Sequence, residues 1–426
     1  MWKDEADKIK RLAEQHNNWF EESFALIASE NLLSPLAAEM LVTDLHNRYA
    51  EGLPGNRYYQ GNIYVDEIEI KVTELAQKLF DVSQADVRPI SGTNANTAIL
   101  FALTNPGDLI GTVPLPAGAH ISSAKFGAVG LRGVNSFQYP FDVDEMNIKV
   151  DETAKMIIEN KPKVCLFGQS VFLFPTPLKE LEDAFHEAEC KVWYDGAHVL
   201  GLIGGGEFQS PLKEGADLIS GSTHKTLPGP QRGIILGNTD EDTWKKVQRR
   251  VFPGVISNHH LNTMAALGIA LAEHLEFGRE YAKQTIKNAQ KLGECLNEDG
   301  IDVLAANKGF TASHTIVVDV QKYGGGKKVS EDLEKANIIV NKNMLPWDDN
   351  KKAQDPSGLR LGAQELTRIG MKESDITEIA NLISRVVKGE SPNNVKEDVK
   401  AFKKGFCRIK YCFSKDKNPY KYTLVH

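Results

Sequence analysis

Short apolar runs recur through the middle of the chain, separated by segments with helical spacing. Residues 109–113, 164–167, 191–194, 217–219 and 234–236 are brief, β-rich and apolar on both faces. Strands of a sheet covered on both sides have that character. Helical periodicity over 65–80, and again after SGTNAN at 91–96, fills gaps between strands. The alternation predicts a doubly wound, mainly parallel α/β domain. Before it, a charged amphipathic helix is expected over 3–22, and Ser34-Pro35 reads as an N-cap and first helical residue of a helix reaching Tyr49. A glycine- and tyrosine-rich loop, EGLPGNRYYQGN, follows at 51–62. Met264, Leu267, Leu271 and Leu275 mark a long helix leading out of the α/β domain. From residue 279 the pattern is that of a smaller α+β domain with a strand at 315–320. The lysine-rich tail from Ser391 ends in a strand-like alternation. Three parts result: a helical arm 1–50, a large domain 51–278 and a small domain 279–426.

Composition narrows the function classes. A chain of 426 residues exceeds what one hydrophobic core usually serves. A net charge of −7 without a long basic run argues against nucleic acid or an anionic membrane as main partner. No apolar stretch nears the ~20 residues that span a bilayer, and the charged N-terminus is unlike a signal peptide. Five scattered cysteines fit reduced thiols in the cytoplasm. His186 and Cys190 lack a second suitably spaced pair, so no metal is expected.

The chemistry begins at Lys225, in GSTHKTLPGPQRG (221–233), where an apolar run gives way to a Pro/Gly loop. A lysine amine held rigidly can form a Schiff base with an aldehyde, and the aldehyde cofactor used this way is pyridoxal phosphate (PLP). PLP needs a carboxylate for its ring nitrogen and a cradle for its phosphate. Asp195 ends the run KVWYD, about one βαβ unit before Lys225. Ser91-Gly92-Thr93 lies in a turn before a helix, where free N–H groups favour a phosphate. Each signal alone has a plainer reading: a surface lysine, a helix-capping aspartate, an ordinary turn. Their joint occurrence in this order points to a PLP enzyme of the aspartate-aminotransferase type of fold.

The chain also resembles the serine hydroxymethyltransferase family nearly end to end. The matching blocks are LIASEN (26–31), RYAEGLPGNRYYQGN (48–62), SGTNAN (91–96), DGAHVLGLI (195–203), STHKTLPGP (222–230) and SGLRLGAQELTRIGM (357–371). SNHH (257–260) and NKNMLPWDD (341–349) resemble its archaeal branch. The resemblance implies PLP fold type I and transfer of the serine hydroxymethyl group to a reduced pterin, giving glycine and a methylene-pterin. It makes Lys225 the Schiff-base lysine, Asp195 the partner of the pyridinium nitrogen, His198 a neighbour of the ring oxygen and His120 the residue stacked on the ring. Tyr49, Ser91, Gly92, Thr93, Ser170, Ser222 and His224 would hold the cofactor, chiefly its phosphate. Arg360 and Ser29 would bind the substrate carboxylate. Glu51, Tyr58 and Tyr59 would enter from a neighbouring subunit of a homodimer with shared sites; Glu51 and Tyr59, with Lys225 and His120, complete the catalytic set. Leu115, Gly118 and Asn343 would touch the pterin.

Some positions depart from the family pattern. Its arginine after GP is Gln231, with Arg232 one place later. Its double glycine before the stacking histidine is Gly118-Ala119, and a further histidine is Ser123. The bacterial glycine-rich segment after FPG is VISNHH. PGPQRG also resembles threonine transaldolases, so an aldolase or transaldolase on the same scaffold stands as the alternative. Tetrahydrofolate and tetrahydromethanopterin both remain open as carrier, as do dimer and tetramer.

Overall fold

The structure, a computed structural model, describes residues 2–421. The chain divides into two compact units. The large one comprises Leu36–Lys283 with Leu345–Trp347; the small one comprises the residues up to Pro35, Gln284–Met344 and those from Asp348 on. The N-terminal arm drawn as a separate part thus divides: its first 35 residues belong to the small unit.

The large unit is built on seven strands: β1 (Gln84–Asp86), β2 (Leu109–Thr112), β3 (Asn135–Gln138), β4 (Val164–Gly168), β5 (Lys191–Asp195), β6 (Leu218–Ser222) and β7 (Gly233–Gly237). Their order is β1-β7-β6-β5-β4-β2-β3. From β6 to β3 all neighbours are parallel; β7 runs antiparallel between β6 and β1. Strands β4, β6 and β7 are buried throughout, which is why their sequences are apolar on both faces. Ile99, Ile110, Val164, Leu166, Trp193, Leu218 and Ile235 meet in one core with the helix Gly92–Leu103.

Two expectations about local structure change. The helix opening at Pro35 ends at Glu39 and gives way to 3₁₀ turns, because Thr43 is extended. The tail forms a helix, Pro392–Lys403, and no strand among the described residues beyond it. Tyr420 is buried in the core of the small unit, its hydroxyl between Lys403 Nζ (3.0 Å) and Glu365 Oε1 (3.1 Å). The alternating stretch forms no strand there, and residues 422–426 lie outside the described residues.

In the small unit, β8 (Asp302–Val303), β9 (Thr315–Asp319), β10 (Asn341–Asn343) and β11 (Gly358–Gly362) form an antiparallel sheet in the order β8-β9-β11-β10. Phe24–Ala25 pairs in parallel with Ile338–Ile339, which fastens the N-terminal segment into this unit.

Candidate active site

Parallel α/β sheets bind ligands beyond the carboxyl ends of their strands. Here the ends of four neighbouring strands deliver most of the candidate residues. Asp195 is the last residue of β5, and in register it faces Gly168 of β4 and Ser220 of β6. Ser222 ends β6; His224 and Lys225 follow it. Ser170 follows β4, and His120 follows β2. The helix Gly92–Leu103 points its N-terminus the same way along the chain path, capped by Ser91, whose side chain accepts from Asn94 N at 3.0 Å.

Asp195 is buried, 7% exposed. Oδ2 accepts from Asn96 Nδ2 at 2.7 Å and Oδ1 from Ala197 N at 3.1 Å. No lysine or arginine among the described residues pairs with it. A buried carboxylate held only by neutral donors lacks the cation that would offset its desolvation. Asn96 Nδ2 also reaches Ser122 Oγ (3.3 Å), which lies 2.8 Å from His120 Nδ1. Ser122 N donates to the same ring nitrogen at 3.2 Å, so Nδ1 accepts and the ring proton belongs on Nε2. Asn96 and Ser122 had no assigned role, yet they join the His120 ring to Asp195. The clue was present in SGTNAN: an asparagine on the core side of a helix must find polar partners.

Lys225 is also buried, 8% exposed. The loop beyond it is closed on itself: Thr223 Oγ1 donates to Pro230 O (2.6 Å), and Gly229 N donates to Thr223 O (2.8 Å). Thr226 Oγ1 donates to His198 O (2.8 Å) and accepts from Gly201 N (3.0 Å). These bonds lock the chain after Lys225 to the chain after Asp195. Burial and the neighbouring Lys225 push the His224 imidazole down to about 4, and its Nδ1 is buried without a hydrogen-bond partner among the described residues.

Two glycines are required by close approach. A Cβ on Gly92 would stand 2.3 Å from Ser222 Oγ; without it, the serine hydroxyl and the helix N-terminus come together. Gly118 has φ +100°, and its Cβ would meet Val171 Cβ at 2.6 Å. That turn, with Leu115 O accepting from Gly118 N (2.9 Å), is stitched to the end of β4 through Ser170 N and Gly118 O.

The departure at Gln231-Arg232 has a structural explanation. Gln231 is exposed, while Arg232 is fully buried. Its guanidinium donates to the carbonyls of Val87 (2.7 Å), Arg88 (3.2 Å), His259 and His260 (2.9 Å) and to Thr263 Oγ1 (2.8 Å). Burial brings it down to about 10.

Glu51, Tyr49, Tyr58 and Tyr59 lie together on a separate loop of the large unit, around a hairpin pairing Gly52–Leu53 with Asn56–Arg57. The Tyr49 and Tyr59 rings meet edge to face at 5.4 Å. In the small unit, Arg360 sits mid-strand on β11, 8% exposed, and burial lowers it to about 10. Beside the same strand, Gly362 N donates to Leu26 O (2.7 Å), and Gln364 Nε2 donates to Ile27 O (2.7 Å) and Glu30 O (2.8 Å). Ser29 is thereby held next to the strand that carries Arg360. Asn343, on β10, pairs with Gly358 of β11.

Fold and strand-end residues define a class: the pyridoxal-phosphate enzymes of fold type I. Within it, the chain belongs to the serine hydroxymethyltransferase family, whose model matches residues 3–383. It is similar to serine hydroxymethyltransferases of Picrophilus torridus (63% identity over 98% of this chain and 96% of the relative) and Thermoplasma acidophilum (61%, 97% and 97%). That of Methanothermobacter marburgensis is 50% identical over 99% of both chains. Among the described residues no helix is long and apolar enough to cross a membrane, and no cluster of metal-ligating side chains occurs.

Proposed function

We propose that the large unit binds PLP at the ends of β2, β4, β5 and β6, with Lys225 as its covalent anchor. The reaction is that of the family: serine and glycine are interconverted as the hydroxymethyl carbon passes to or from a reduced pterin. The observation that carries the cofactor reading is the convergence of Lys225 and Asp195 at the ends of adjacent parallel strands. The donor set also fits the group. Among the described residues Asp195 has no cationic partner, as suits a partner for a pyridinium. The Gly92–Ser222 approach makes a cradle beside a helix N-terminus, where an anion is favoured. The buried His224 Nδ1 is a further polar atom available to a phosphate.

Bound there, PLP would supply an aldehyde for an amine and a ring that accepts the negative charge developing at Cα. The chain's own residues do the rest. Asp195, fixed by Asn96 and Ala197 N, would hold a proton on the ring nitrogen, and His120, fixed by Ser122, would cover a ring face. Arg360 offers a planar fork to the substrate carboxylate, with Ser29 beside it. Glu51 moves protons at the hydroxymethyl group, and Tyr59 lines the same site. Leu115 and Gly118 of the large unit would contact the pterin, as would Asn343 of the small unit.

The loop of Glu51 supports a homodimer with shared sites. Tyr58, Ile63 and Tyr64 are 75%, 74% and 77% exposed in the single chain, a concentration of apolar surface typical of an interface. All five cysteines are free thiols, which supports a reducing, cytoplasmic setting.

The test is a steady-state assay of serine cleavage with tetrahydrofolate and with tetrahydromethanopterin, alongside borohydride reduction and peptide mapping. Pterin-dependent formation of glycine and a reduced adduct on Lys225 are expected, and Lys225→Ala should lack both. A pterin-independent reaction, or an adduct on another lysine, would overturn the reading.

A further inference from the structure

The Glu51 carboxylate makes no hydrogen bond or ion pair with the described residues of its own chain, so its aim depends on how its backbone is held. That backbone is gripped on both sides. Arg57 Nη1 donates to Ala50 O at 2.9 Å and to Gly52 O at 2.8 Å, the two neighbours of Glu51. The Arg57 fork is seated by Asp66 Oδ1 on Nε and Glu69 Oε2 on Nη2, both at 2.7 Å. Burial pushes the Glu69 carboxyl up, but His259 and Arg57 more than offset this and leave it below its ordinary value. His259 Nε2 stands 3.0 Å from Glu69 Oε2. Asn258 completes the grip: its Nδ2 donates to Arg48 O (2.8 Å) and its Oδ1 accepts from Ala50 N (3.1 Å).

Asn258 and His259 belong to SNHH, the segment standing where bacterial members have glycines. Arg232, the displaced arginine of the Lys225 loop, holds the carbonyls of His259 and His260. Both departures from the family pattern therefore fall in one contiguous network. It runs from the loop after Lys225, through 258–260, to the two peptides flanking Glu51. We infer that Asn258 and His259 are positioning residues for Glu51. They fix the direction in which its carboxylate leaves the loop, and Arg232 ties that direction to the chain beyond Lys225. This rests on the reading of Glu51 as the proton-handling group of the pterin-dependent step.

The experiment compares two reactions that share the cofactor but differ in their need for Glu51. One is pterin-dependent serine cleavage. The other is pterin-free cleavage of a 3-hydroxy amino acid carrying an aryl group. Glu51→Gln is measured first and should impair only the first reaction. Equal losses in both would remove Glu51 from proton transfer, which is the failure of the underlying reading. Given a selective Glu51→Gln, Asn258→Ala and His259→Gln are each expected to lower pterin-dependent kcat by about 10²-fold, the cost of a displacement on the order of 1 Å. Cleavage of the aryl substrate should stay within about twofold, the scatter of independent sites. In a Glu51→Gln background neither change should cost anything further. Equal losses in both reactions, or losses that multiply with that of Glu51→Gln, would overturn the inference. If Asn258→Ala does not fold, Asn258→Asp, which keeps the acceptor for Ala50 N and loses the donor for Arg48 O, takes its place under the same criteria.

Discussion

Replacing Gly92 with alanine tests the phosphate cradle without touching a polar group. The added Cβ would lie 2.3 Å from Ser222 Oγ but 3.5 Å from Ser222 Cβ. Only the hydroxyl is in the way, then, and a χ1 rotation of Ser222 relieves the clash. Alanine is no worse than glycine in a first helical turn, so the PLP-free protein should melt near the wild-type temperature. The consequence falls on the ligand: a rotated hydroxyl no longer points into the cradle. A hydrogen bond to a charged group contributes about 1.5–3 kcal/mol, so PLP should dissociate roughly 10- to 150-fold more readily. Equilibrium dialysis of PLP against wild type, Gly92→Ala, Ser222→Ala and the double variant measures this. The two single variants should lose similar affinity, and the double variant should lose no more than either, because both remove the same contact. Unchanged affinity in Gly92→Ala, or losses that add, would refute the cradle.

Three further outcomes are expected. Arg360→Ala should raise KM for serine by the equivalent of about 3 kcal/mol, the cost of removing one partner of a buried ion pair, with PLP affinity unchanged; an unaltered KM would put the carboxylate site elsewhere. Mixed dimers of Lys225→Ala and Glu51→Gln should regain up to half the wild-type sites, since one site then carries both lesions and the other neither; no recovery in proven heterodimers would mean both residues serve one chain's site. His224 titrates near 4 when folded against 6.5 when exposed, so between those values the unfolded chain binds the extra proton and stability falls as pH drops. The urea midpoint of the PLP-free protein should therefore decline from pH 6.5 to 4, and His224→Gln should lessen that decline; an equal decline in both would assign it to other groups.

Strands β4 and β6 were legible because complete burial leaves an apolar run that periodicity detects, and β5 because only Lys191 at its start escapes burial. Strands β1 and β3, with sequences QAD and NSFQ, were not, because a short edge strand needs no apolar pattern. The antiparallel sense of β7 is equally invisible, since direction leaves no trace in side-chain alternation. Lys225 and Asp195 could be found because each sits where a strand gives way to a loop. Asn96, Ser122 and Arg232 were missed, their roles being defined by partners 26 to 145 positions away. Phe24–Ala25 was missed for the same reason, its partner strand lying more than three hundred residues along the chain.

Six of the nine hydrogen bonds that Arg57 and Arg232 donate go to main-chain carbonyls, those of residues 50, 52, 87, 88, 259 and 260. Such acceptors are present whatever side chain stands at those positions. Those hydrogen bonds consequently survive changes of residue identity at 87 and 260, while a one-residue insertion or deletion in 50–52, 87–88 or 259–260 would move the carbonyls themselves. At these three places a deep insertion–deletion scan should find every change of length intolerable, whereas substitutions at Val87 and His260 should leave these hydrogen bonds in place.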